Sequence, residues 1–157
     1  MLRKTLSTLI LFAVCNMANA LSLSIPKSLI DKAVSTKFPK EKLTIKLDQP
    51  LTKFDKERQK IELCGTWSSK LSRKGGEFCI DFQPQWNKTK GDIQIAKVNI
   101  LKLTEGEIKA LPAALTTTLN STLLTLLDGT SVYHVSDMVG KHIDNIEVQD
   151  SSFKLLF

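Results

Sequence analysis

The sequence predicts an α+β domain: a curved antiparallel sheet wrapped around one long helix, with a shorter N-terminal helix and a C-terminal hairpin. Three observations predict it. Four stretches between Leu43 and Leu103 alternate apolar and polar residues with the period of a strand. From Ala110 to Leu127 no residue is charged, while Ile108, Leu111, Leu115, Leu119, Leu123 and Leu126 recur at helical spacing. The last strand stretch changes phase midway, and the bulge that would explain this would also bend the sheet.

The chain has 157 residues, enough for one domain with a real core. Residues 1–20 read as a secretory signal peptide. Arg3 and Lys4 form the basic start, Leu6 to Val14 the apolar run, and Ala18-Asn19-Ala20 the small-residue cleavage site. The domain proper then covers residues 21–157, soluble and periplasmic. The alternative is an outer-membrane lipoprotein acylated at Cys15, which fits less well because Val14 stands where that processing wants a small residue. Losing Arg3 and Lys4 lowers the net charge from +6 to +4. Such a charge is compatible with peripheral contact to an anionic membrane surface, without being specific for it.

In chain order, Leu21, Leu23 and Ile25 alternate with serines as an extended lead-in. Pro26 suits a first helical turn, and Ile30, Ala33, Val34 and Phe38 continue a helical stripe as far as Pro39. Leu43, Ile45 and Leu47 share one face of the first strand, which ends near Leu51. Lys53 to Lys60 reads as a solvated hairpin loop. In the next hairpin Ile61, Leu63, Gly65 and Trp67 share a face, as do Phe78, Ile80, Phe82 and Trp86, across a turn at Ser72 to Gly76.

Cys64 and Cys79 fall on the opposite, polar face of these two strands. Placing them opposite each other also sets Leu63 against Ile80 and Ile61 against Phe82, so two requirements agree on one register. An even cysteine pair in an exported protein is expected to form a disulfide; two buried free thiols are the alternative. In the fourth strand, Asp92 to Leu103, Ile93 and Ile95 point one way and Val98 and Ile100 the other. A bulge near Ala96-Lys97 or a strand buried on both faces would each account for this.

The long helix is expected between Thr104 and Gly129. Thr104 and Glu107 have capping-box spacing, Pro112 breaks a short first turn, and Gly129 ends the helix. Its back carries Thr117, Asn120, Ser121 and Thr125 where a surface helix normally shows Lys and Glu. Two readings stand: a helix lying in the hollow of the sheet, contacted over most of its circumference, or a core helix with one threonine-rich solvent face. Beyond it, Val132 to Val135 reads as a short strand. Ser136 reads as the cap of a brief helix, and Ile146, Val148, Phe153, Leu155 and Phe157 as a closing hairpin.

Little here supports catalysis. His134 and His142 lack metal-ligand spacing, Gly75-Gly76 is a turn rather than a phosphate cradle, and Glu105 and Glu107 suit a helix start. Asn87-Lys88-Thr89 and Asn120-Ser121-Thr122 match the glycosylation pattern without context to support it. The basic stretch Lys37 to Lys60 is interspersed with acids and has only Arg58 and Phe54 to offer a nucleic acid, so no nucleic-acid partner is expected. No enzyme activity, cofactor or metal is predicted.

The lead-in Leu21-Ser22-Leu23-Ser24 precedes a helix, four antiparallel strands and a leucine-rich helix ending near Gly129. Val132-Tyr133, a short helix, Ile146-Glu147-Val148 and a last apolar strand follow. In this order of elements the chain resembles the YceB-like bacterial envelope proteins, a family of uncharacterised function. The resemblance implies a fold related to the tubular lipid-binding superfamily, and a periplasmic protein with an apolar channel for lipid. That family is often lipidated at a clear cysteine, from which Cys15 departs.

The expectation is therefore a non-enzymatic binding protein for a lipid or other hydrophobic small molecule. Strand and helix phases place its lining at Ile61, Leu63, Trp67, Phe78, Ile80, Phe82 and Trp86 from the hairpin and Leu111, Leu115, Leu119 and Leu123 from the helix. The alternative is an envelope interaction or assembly module with a solid core and no ligand.

Overall fold

The computed structural model describes residues 22–106, 109–110 and 113–157, with the side chains at 109–110 and 113–115 outside that description. The expected signal peptide, Cys15, Leu111, Pro112 and the side chain of Leu115 thus lie outside the described residues.

The chain runs β1 (Ser22–Pro26), α1 (Lys27–Thr36), β2 (Lys40–Lys42), β3 (Ile45–Asp55), β4 (Lys60–Ser69), β5 (Gly75–Asn87), β6 (Asp92–Glu105) and β7 (Lys109–Ala110). Then come α2 (Ala113–Leu127), β8 (Ser131–His134), α3 (Asp137–Gly140), β9 (Asn145–Val148) and β10 (Ser152–Leu156). The main sheet is antiparallel, ordered β2-β3-β4-β5-β6-β7 with β8 also on β6, and it curls into a half-barrel. A small second sheet, β1-β10-β9, holds the C-terminal hairpin against the lead-in strand.

The curl has identifiable causes. Register slips between Asp48 and Leu51 in β3, where Gln49 has φ 53°. It slips twice more between β5 and β6, once past Lys97 (φ 51°) and once past Leu101. Each extra residue bends the strand and raises its twist. The slip at Lys97 is the expected bulge, and it returns Val98 and Ile100 to the core side. The slip in β3 was not expected. It lets Ile45 and Leu47 face inward and then hands that face to Thr52 and Phe54, leaving Leu51 73% exposed. Leu43, read as an inward strand residue, sits instead in the β2–β3 turn with φ 56° and is 90% exposed.

The β4–β5 register is the expected one: Ile61 opposes Phe82, Leu63 opposes Ile80, and Cys64 opposes Cys79. Gly75 and Gly76 open β5 rather than forming the turn. Gly76 has no room for a side chain, because a Cβ there would stand 1.8 Å from the Thr104 carbonyl oxygen. That oxygen accepts the Trp67 indole N–H at 2.7 Å.

The long helix begins at Ala113, as a break at Pro112 predicts, whereas the short first turn expected from Thr104 is not formed there. Thr104 and Glu105 still belong to β6, where they pair with Ala110 and Lys109 after a turn at Gly106 (φ 66°); Glu107 lies outside the described residues. The helix ends as expected at Gly129, with φ 74°. There the Gly129 N–H donates to Ile95 O at 3.0 Å and the Ile95 N–H to Thr130 O at 2.9 Å, fastening the helix end to β6.

Candidate functional site

The described residues expected to line a slot are brought together as one buried cluster. Ile61, Leu63, Phe78, Ile80 and Leu119 are 0% exposed, and Trp67, Phe82 and Leu123 are 1% exposed. Trp86 differs: half-buried, its ring lies where a Cβ on Gly140 would come within 3.1 Å, and among the described residues its Nε1 has no hydrogen-bond partner. Helix α2 buries one row, Leu119, Leu123 and Leu127, and turns Thr117, Thr118, Ser121, Leu124 and Thr125 to solvent. Contact over most of its circumference is therefore not what the described residues show. Water tolerates that chargeless back because its hydroxyls are used locally: Thr122 donates to Thr118 O and Thr125 to Ser121 O.

Cys64 and Cys79 are joined in a disulfide, with the Glu62 carboxylate 3.4 Å from the Cys64 sulfur. The three donors lie within 4.8 Å of one another. Bonded to each other, however, the sulfurs are not the thiolates a metal requires.

A hollow of about 950 Å³ lies elsewhere, between the β3–β4 turn and β9. Its wall is charged. Asp81 projects from the polar face of β5 with a 1% exposed side chain and is held by three donors: Arg58 Nη2 at 2.6 Å, Asn99 Nδ2 at 2.9 Å and Lys60 Nζ at 3.3 Å. Burial pushes its carboxyl upward, but the hydrogen bonds from Asn99, Arg58 and Lys60 prevail and hold it below the usual aspartate value.

Beside it, Gln59 (φ 53°) turns its carboxamide onto the backbone of β9. Its Oε1 accepts the Val148 N–H at 2.8 Å and its Nε2 donates to Val148 O at 3.0 Å. The stretch Lys53 to Lys60, read from sequence as a solvated hairpin loop, is half strand and half turn, and the turn reaches across to the second sheet. The available signal was the polar row Glu62 and Asp81, register partners on the face opposite the apolar one.

His134 also meets a carboxylate, its Nδ1 lying 2.7 Å from Asp92 Oδ1 across the β6–β8 pair. It borders a hollow of about 580 Å³ with Ser136 and Asp137. Its side chain is 65% exposed, and among the described residues Asp92 is its one hydrogen-bond partner. A general base needs a positioned nucleophile or substrate, and this imidazole is surrounded mostly by water.

The fold and these sites define an α+β protein with a curled half-barrel sheet, a buried apolar core and a charged groove. No family model matches the chain, and no curated protein matches it. Among the described residues no helix is long and apolar enough to cross a membrane.

Proposed function

We propose that this chain is an exported, non-enzymatic interaction module of the cell envelope, periplasmic and disulfide-bonded, that works through its surface around a solid core. The supporting observation is the near-zero exposure of the hairpin side chains Ile61, Leu63, Trp67, Phe78, Ile80 and Phe82. Titration with a fluorescent fatty acid, together with native mass spectrometry, tests the reading. The expected result is a ligand-free mass and no saturable uptake; a co-purifying lipid or saturable uptake overturns it.

The second reading is a carrier of lipid or another hydrophobic ligand between curled sheet and helix. One feature favours it: the inner face of the half-barrel is mostly apolar, with Thr52 among its aliphatic and aromatic side chains, and the element lying on it, α2, buries a single row of leucines. On this reading the sheet half-encloses α2, and a guest enters when the helix yields rather than into a standing cavity. Pinning α2 to β6 with an engineered disulfide would then abolish uptake that the parent protein shows.

A further inference from the structure

We infer that the free edge of β9 and the hollow beside it form a docking site for an extended, lysine- or arginine-bearing peptide segment of a partner protein, added as a strand to the small sheet. The inference rests on the surface-acting reading above and names the partner class for it.

Strand β9 is the last in the order β1-β10-β9, so among the described residues one side of its backbone has no hydrogen-bonded strand partner. An exposed edge of this kind is a template for pairing unless it is blocked. Here it is blocked by side chains. The Val148 N–H and carbonyl are both taken by the Gln59 carboxamide, at 2.8 and 3.0 Å, and the Ile146 N–H donates to Asn145 Oδ1 at 2.8 Å. A carboxamide offers one acceptor and one donor, the same pair that a neighbouring strand would present. Gln59 therefore occupies the place of one residue of a missing strand, and its turn can withdraw without disturbing the ladder between β9 and β10.

Charge selects the occupant. The hollow along this edge is lined by four cationic and six acidic side chains, a net −2 on a chain whose formal charge is +6. Two of the four cations, Arg58 and Lys60, are committed to Asp81. Asp55 is held by Arg58, whose backbone N–H donates to its Oδ1 at 3.0 Å; Glu57, Glu62, Glu147 and Asp150 remain to face a guest, against Lys53 and Lys56. Main-chain pairing would supply affinity, and the carboxylates would select alternate basic side chains.

The test is fluorescence anisotropy of a labelled peptide of alternating valine and lysine, with alternating valine and glutamate as comparison, on the intact domain. Saturable, salt-sensitive binding of the basic peptide alone is expected, with amide shifts centred on Ile146 and Val148. Gln59→Ala should tighten it by opening the edge. Glu57→Lys combined with Glu147→Lys should weaken it by about tenfold or more, and Ile146→Pro should abolish it. Circular dichroism of each variant separates lost binding from lost fold, and the Gln59→Ala gain cannot arise from unfolding. No saturable binding, equal affinity for the acidic peptide, or indifference to both Gln59→Ala and the charge reversal overturns the docking site. Fatty-acid uptake measured on the same sample distinguishes the outcomes: a negative peptide result without uptake removes only this site, whereas uptake removes the solid-core reading itself.

Discussion

Replacing Phe82 by alanine asks whether the interior is filled. The ring is 1% exposed and stands opposite Ile61, itself 0% exposed, within a wall whose other members Leu63, Phe78 and Ile80 are equally closed. Truncation removes the transfer free energy of the ring and leaves a cavity whose strand-bound walls cannot collapse. Phe→Ala at such sites costs about 3–5 kcal/mol. With a urea dependence of about 1–3 kcal/mol per molar, the unfolding midpoint should fall by roughly 2 M at an unchanged slope. The new void would be apolar and dry, so the variant, unlike the parent, should bind benzene and recover part of its stability. A loss below about 1 kcal/mol, or benzene binding by the unmutated protein, would mean that the ring already borders empty space, and the solid-core argument would fail.

Other perturbations probe the polar face and the closures. Asp81→Asn should cost about 2–3 kcal/mol, since Arg58, Lys60 and Asn99 lose a buried anion. The folded-state carboxyl lies below its ordinary value, so its stabilisation is present above about pH 4 and is lost as pH falls through the lower folded value. Urea melts between neutral pH and pH 2 should show this decline in the parent, and a shallower one in Asp81→Asn. Replacing both Cys64 and Cys79 by serine opens a loop of sequence separation 15 and should cost about 3 kcal/mol, with the intact mass of the parent rising by two hydrogen atoms when a reductant is added. Gly76→Ala should cost about 1–3 kcal/mol by thermal melt, because the added methyl meets the Thr104 carbonyl and disturbs its bond from Trp67.

What the sequence alone determined is what period and pairing can carry. Alternation over Ile61 to Trp67 and Phe78 to Phe82, combined with one cysteine on each strand, defined a register that the folded chain adopts, because slipping it by one residue would have turned the aromatic face to water. Gly129 and the phase change near Lys97 were legible for a similar local reason: a positive φ and an extra residue leave their mark on the chain itself.

Tertiary structure alone decided how far the helix is embraced and where the hollow lies. A chargeless helix back admits both burial and self-satisfied hydroxyls, and only the neighbours of α2 choose between them. The groove depends on residues far apart in the chain, Gln59 on Val148 and Arg58 on Asp81, which meet because a register slip at Gln49 and two more in β6 curl the sheet. Charged residues between two strands look alike in sequence whether they face water or each other; the distance between strands that have not yet folded is not written in either.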